Sequence, residues 1–259
     1  MRLWRNEGIA LAVSDDPSSE IARGSILERP KVLYCAKTGQ FVLWFHLEKK
    51  GDYTSALSGI AVADHIAGPY RFVRSVRPCA GFWPLNVPEA DKTPLSAPQI
   101  AEINALGLRG GEHPDYPADR IYRLDFAGGQ QARDMTLFQD DDGRAYHLYA
   151  SEFNGVLHAA ELTDDYLDYT GRWVRLFPGR FFEAPTLMKR QGKYYLFASG
   201  CTGWAPNAAR LAVADHLFGP WTELGNPCRG SEEQRATTFE SQSTFILPVQ
   251  NSDQWIFMA

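Results

Sequence analysis

Arg180-Phe181-Phe182-Glu183-Ala184-Pro185-Thr186-Leu187-Met188 sets a carboxylate beside two aromatics and directly ahead of an apolar run. A polar turn, Lys189-Arg190-Gln191-Gly192, separates that run from Lys193-Tyr194-Tyr195-Leu196-Phe197-Ala198. Apolar and aromatic runs on either side of a short glycine-containing turn read as a β-hairpin. The phrase recurs. Glu28-Arg29-Pro30-Lys31-Val32-Leu33-Tyr34 leads through Lys37-Thr38-Gly39-Gln40 into Phe41-Val42-Leu43-Trp44-Phe45. Asp134-Met135-Thr136-Leu137-Phe138 leads through Asp140-Asp141-Asp142-Gly143 into Ala145-Tyr146-His147-Leu148-Tyr149. Gln242-Ser243-Thr244-Phe245-Ile246-Leu247 opens a further copy that closes at Trp255-Ile256-Phe257-Met258. Each copy starts with a polar residue: Glu28, Asp134, Glu183 or Gln242.

A second phrase marks the outer part of the unit. Ala61-Val62-Ala63-Asp64-His65-Ile66-Ala67-Gly68-Pro69-Tyr70 returns as Ala212-Val213-Ala214-Asp215-His216-Leu217-Phe218-Gly219-Pro220-Trp221. The period is about 50 residues with about four short strands per copy, which is the pattern of propeller blades. The fold expected is all-β: a five-bladed β-propeller, incomplete at both termini, forming a single domain over residues 1–259. Residues 3–13 read as the outer strand of a preceding unit, and the last copy stops after two strands. The stretch 77–130 exceeds the period and reads as an inserted excursion on one rim. It carries one short helix that Ser96 can cap, with Ile100, Ile103 and Leu106 on one face. Residues 229–241 read as a polar connector.

At 259 residues and 44% hydrophobic content the chain can bury one sizeable core. A net charge of −5 argues against nucleic acid or an anionic membrane as partner. No apolar run reaches the roughly 18 residues of a spanning helix, and no signal peptide is visible at Met1. Cys35, Cys79, Cys201 and Cys228 show neither metal-ligand spacing nor a C-x-x-C motif, so free thiols are expected. Nothing in the motifs calls for a cofactor or a metal, and oligomeric state is unspecified.

In a propeller the first strand of each blade lines the central channel. Glu28, Asp134, Glu183 and Gln242 are therefore expected on one ring at one mouth. Clustered carboxylates repel, so at least one should keep its proton near neutrality. Phe181 and Phe182 favour Glu183 for that part. A protonated acid facing a group that directs water is the apparatus of glycoside hydrolysis, and inversion needs a separation of about 6.5–9.5 Å.

Glu28-Arg29-Pro30-Lys31-Val32, Arg133-Asp134-Met135-Thr136-Leu137-Phe138, Glu183-Ala184-Pro185 and Cys201-Thr202-Gly203-Trp204-Ala205-Pro206-Asn207 resemble glycoside hydrolase family 43. More narrowly, they resemble its branch of exo-acting galactan 1,3-β-galactosidases. The resemblance covers nearly the whole chain outside the 77–130 insertion. It implies a five-bladed propeller, an inverting mechanism, an oligo- or polysaccharide substrate and an extracellular or periplasmic location. It implies Glu183 as general acid. Most of the family takes its base from a first-blade Asp, a region absent here; the galactosidase branch implies Gln242, as an imidic-acid tautomer, in that role. Glu28 and Asp134 match residues that bind sugar hydroxyls and tune the acid. Asn154, Thr202, Trp204 and Asn207 fall on loops where subsite contacts would lie, with Arg210 nearby and Trp204 placed to stack on a pyranose.

Asp140-Asp141-Asp142-Gly143 lacks the later Glu of a calcium loop and reads as a hairpin turn. His46, His147 and His158 read as core histidines. Two function classes remain. One is an exo-glycosidase releasing galactose or, in the same family, L-arabinofuranose; the other is a non-catalytic carbohydrate-binding propeller. Only the enzyme needs an acid at Glu183.

Overall fold

The computed structural model describes residues 5–259. Three four-stranded sheets run in chain order. The first holds β1 (Ile26–Cys35), β2 (Gln40–Lys49), β3 (Asp52–Ala63) and β4 (Arg71–Val76). The second holds β5 (Met135–Gln139), β6 (Ala145–Ser151), β7 (Val156–Leu162) and β8 (Tyr169–Leu176). The third holds β9 (Phe182–Arg190), β10 (Lys193–Gly200), β11 (Arg210–Ala214) and β12 (Trp221–Gly225). A last hairpin pairs β13 (Phe245–Pro248) with β14 (Trp255–Met258). All strand pairs in these sheets are antiparallel.

The leading strands pack in order, β1 on β5, β5 on β9 and β9 on β13. The core lies between sheets. One cluster joins Trp44, Ile60 and Val62 to Met135, Leu137 and Trp173. The next joins Leu148, Leu157 and Val174 to Phe182, Leu187 and Leu196. Middle strands are thus covered on both faces, and β2 is buried without a break from Val42 to Glu48. This is why the middle strands read as continuous apolar runs rather than alternating ones. Fully buried leucines such as Leu148 and Leu196 each contribute about 1.5–3 kcal/mol of transfer free energy. The two buried tryptophans satisfy their indole N–H groups on loop carbonyls, Trp44 on Tyr166 and Trp173 on Phe82, both at 2.9 Å.

The stretch 77–130 contains a short helix and packs beside the second sheet. Its helix α1 (Ala97–Ala105) follows Ser96, whose backbone N–H donates to Gln99 Oε1 at 2.9 Å. Ile103 packs with Leu95 and Ile121, and Leu108 and Tyr116 carry the segment onto Phe153 beside the second sheet. Two expectations change. Leu3 and Trp4 lie outside the described residues, and residues 5–13 form no strand. There the Asn6 side chain accepts the Gly8 N–H at 2.8 Å, a local turn that competes with extended pairing. The connector 229–241 contains a short helix, α2 (Glu232–Ala236). Ser231 Oγ accepts from Gln234 N at 3.2 Å, and Ser231 N donates to Gln234 Oε1 at 2.9 Å, a reciprocal cap. Among the described residues no helix is long and apolar enough to cross a membrane.

The buried carboxylate and guanidinium beside the second sheet pair with each other. Glu152, 1% exposed at its side chain, accepts from Arg175 Nε and Nη2 at 2.7 and 2.6 Å and meets His158 Nε2 at 2.7 Å. Removing one member of a buried pair strands the other charge, at a cost of about 3–5 kcal/mol. Arg175→Met is therefore expected to lower unfolding stability by about 3–5 kcal/mol, read from the urea midpoint. A loss no larger than that of a surface arginine variant would refute the ion pair's structural role.

Candidate active site

Glu28 and Glu183 stand at matching points of β1 and β9. Each precedes a residue with left-handed backbone, Arg29 at φ 53 and Ala184 at φ 49. Strand register shifts at both places. Such a bulge breaks the in–out alternation of side chains, so Glu28 and Arg29 both reach the same cavity. Asp134 immediately precedes β5, its carbonyl accepting Ala150 N at 2.8 Å. Gln242 sits three residues ahead of β13, outside the strand.

These four residues do converge. With Arg29, Tyr53, Gly203 and Trp204 they line a cavity of about 480 Å³. A second cavity of about 410 Å³ shares Tyr53, Asp134 and Glu183 and extends beneath the insertion, where Leu108, Arg109 and Asn154 form its wall. Among the described residues no group of three or more His, Cys, Asp or Glu side chains is arranged to hold a metal ion.

Arg29 organises the mouth. Its Nε donates to Asp134 Oδ1 at 3.0 Å, its Nη2 contacts Asp134 Oδ2 at 2.8 Å, and Nη2 also donates to Gln242 Oε1. Asp134 Oδ2 additionally accepts the Ala184 N–H at 3.2 Å. The other end of the Gln242 amide, Nε2, donates to Ser199 Oγ at 2.8 Å and to Glu183 Oε2 at 3.3 Å. Glu183 Oε1 faces Asn154 Nδ2 at 3.4 Å and Cys201 Sγ at 3.6 Å.

Two of the carboxyls, Glu183 and Glu28, are shifted in opposite directions. Burial, reinforced by the negative charge of Asp134, pushes Glu183 up to about 7. Glu28 is held below the ordinary carboxylate range, chiefly by its hydrogen bond with His46 at 3.0 Å and with help from Tyr53 at 3.2 Å. His46 in turn lies between Glu28 and the fully buried Glu48, which it meets at 2.9 Å. Burial opposes a charge on this imidazole, but the two carboxylates overcome it and raise its pKa. Arg133 at 2.6 Å and the Ala56 N–H at 2.8 Å complete Glu48.

The loop residues divide. The Asn154 Oδ1 is buried without a partner among the described residues, and its Nδ2 faces Glu183 Oε1. Trp204 is 99% exposed on the cavity rim and plugs nothing. Asn207 spends its amide on Gly200 and on Thr202 Oγ1, at 2.7 to 3.0 Å, while Thr202 bonds the Ala205 carbonyl at 2.6 Å. Both shape the loop that carries Trp204. Arg210 donates to the Arg180 carbonyl and lies 4.9 Å over the Phe182 ring, behind the cavity wall. Arg29, Tyr53, Ser199 and the 107–110 segment are site residues that motif reading passed over.

The opposed charges near Glu183 give a direct test. Asp134→Asn should lower the Glu183 pKa from about 7, and Arg29→Met should raise it. Carbon-13 NMR titration of glutamate-labelled protein reads both. Shifts of the same sign in the two variants would refute this electrostatic account.

The family model for glycosyl hydrolases family 43 matches residues 118–258. Among solved structures, a GH43 β-1,3-galactosidase with galactodeoxynojirimycin is 46% identical with a TM-score of 0.90, over 98% of this chain and 72% of that one. The exo-β-1,3-galactanase 1,3Gal43A from Clostridium thermocellum is 33% identical with a TM-score of 0.69, over 94% and 43%. The β-D-galactofuranosidase xynD of Aspergillus niger is 37% identical over 132 residues, which is 46% of this chain and 37% of that protein. The chain thus matches less than half the length of the last two.

Proposed function

The chain belongs to glycosyl hydrolases family 43 and is a glycoside hydrolase, and on that footing we propose that it releases terminal galactose from β-1,3-galactan with inversion at the anomeric carbon. The observation that carries this reading is Glu183: a cavity-lining carboxyl whose pKa is pushed up to about 7 while Glu28 beside the same cavity is held low. Environments that drive two carboxyls apart in pKa separate acid from partner.

In this reading Glu183 protonates the glycosidic oxygen as the C1–O bond breaks. Water attacks from the opposite face of the ring. Asp134 and Arg29 set the potential at the acid, Asn154 Nδ2 faces its carboxyl, and Trp204 offers a stacking face. Thr202, Asn207 and Arg210 hold the surrounding loop in place. The four sheets are read as blades of a five-bladed propeller around this mouth. The galactose reading draws on the likeness to a β-1,3-galactosidase at 46% identity. A furanoside reading draws on the galactofuranosidase likeness at 37%, and an arabinofuranoside belongs to the same class of alternative.

Glu183→Gln should lower galactose release from β-1,3-galactan by at least about 10²-fold while leaving oligosaccharide binding measurable by calorimetry. Wild-type turnover should decline as pH rises through about 7, because the neutral acid is the active form. Proton NMR of the reaction should show the α-anomer of galactose first. A β-anomer first, or cleavage of aryl galactofuranosides or arabinofuranosides in place of galactopyranosides, would overturn the respective parts.

A further inference from the structure

The cavity beneath the insertion holds one charge without a counterpart. Arg29 is matched by Asp134, Arg133 by Glu48, and His46 lies between Glu28 and Glu48. Glu183, the remaining carboxyl, is neutral in its acid form. Arg109 lines the same cavity, is exposed, and has no hydrogen bond or ion pair among the described residues. The other basic side chains of residues 77–130 are all engaged. Arg77 meets Asp125 at 3.4 Å, Lys92 meets Glu89 at 2.8 Å, Arg120 meets Glu102 at 2.6 Å, and Arg123 donates to the Thr93 carbonyl at 2.6 Å.

The backbone holds Arg109 at this wall. Gly107 and Gly110 bracket it with left-handed conformations, φ 62 and 84, which glycine adopts at no steric cost. A side chain at position 110 would come within 3.3 Å of Asn154 Nδ2. The segment therefore lies against the amide that faces Glu183 Oε1. The insertion thus brings one guanidinium to the cavity that the acid lines and leaves its charge to solvent.

A neutral sugar in that cavity displaces part of the solvent and returns no charge, which costs free energy. A carboxylate returns the charge and matches the planar fork with two parallel N–H···O bonds. We propose that the cavity beneath the insertion binds a uronosyl group carried by the galactan, its carboxylate paired with Arg109. This rests on the galactan reading above and narrows it: the preferred substrate is an acidic galactan.

The test compares a β-1,3-galactan bearing β-D-glucuronosyl branches with the same polymer after carbodiimide activation and borohydride reduction, which turns each carboxylate into a hydroxymethyl group. The quantity read is the ratio of kcat/KM on the two polymers, in which a general loss of activity or folding in a variant cancels. The wild type should favour the acidic polymer by about 10-fold, mainly through KM, and the preference should shrink as salt is raised. Arg109→Gln should abolish the preference and Arg109→Glu should reverse it. A wild type that treats the two polymers alike, or a preference that survives in Arg109→Gln, would overturn the proposal. Calorimetry separates this from the galactose reading. Methyl β-D-glucuronide should bind the wild type more tightly than methyl β-D-glucoside, and Arg109→Gln should bind the two alike. If the wild type releases no galactose from β-1,3-galactotriose or from either polymer, the galactose reading fails and the calorimetric pair decides the uronate site. Equal binding of the two glycosides by the wild type then refutes it.

Discussion

A single guanidinium ties the site together. Arg29 projects from β1, takes Asp134 ahead of β5, takes Gln242 ahead of β13, and reaches the Ser243 carbonyl at 3.4 Å. Those partners belong to sheets that are far apart along the chain. The pair with Asp134 is largely shielded, with side-chain exposures of 22% and 14%. Ion pairs of this kind add little net stability, since desolvation offsets most of the attraction. What the pair supplies is direction: a planar fork with donors only, which dictates how every neighbour must turn. Reaching that position requires the left-handed backbone at φ 53, and such a conformation costs a non-glycine residue about 1–3 kcal/mol. The strain is offset by the bonds it permits.

Three carboxylates share one cavity without sharing one chemistry. Asp134 pairs with Arg29 and lies near Glu183, whose pKa its charge raises. Glu28 is held ionised by His46, which leans on the buried Glu48 and Arg133 behind it. Glu183 receives only weak or long contacts, from an amide, a thiol and a second amide. None of these carries a positive charge, and so burial decides its state. The division of labour follows from which partner each carboxylate has, since the groups themselves are nearly identical in water.

Much of this was legible before any coordinates. Repetition of the hairpin phrase pointed to Glu28, Asp134, Glu183 and Gln242 as neighbours because leading strands of successive sheets pack on one another, and the four line one cavity. Phe181 and Phe182 marked Glu183 as the desolvated member. Arg29 was hidden because strand alternation places it opposite Glu28, and the bulge that reverses this leaves no composition signal. Tyr53 was hidden because β3 begins at Asp52, well before the Ala61-Val62-Ala63 run that advertised the strand. The Leu108–Gly110 wall came from an insertion whose placement depends on tertiary packing around Phe153. Residues 5–13 misled for a related reason: their apolar content resembles a strand, but Asn6 offers the backbone a local turn.

The rim follows from the same logic of satisfied groups. Gly200, Thr202 and Asn207 bond one another so fully that the loop from β10 to β11 has little freedom left. Trp204 is therefore presented, fully exposed, by a rigid hairpin-like frame rather than by a mobile strand end. An exposed indole is costly to leave in water unless a ligand covers it. Asn154 Oδ1, buried and unpartnered, is unsatisfied in the complementary sense, since it lacks a hydrogen-bond donor. Trp204 and Asn154 line adjoining cavities that meet at Asp134 and Glu183.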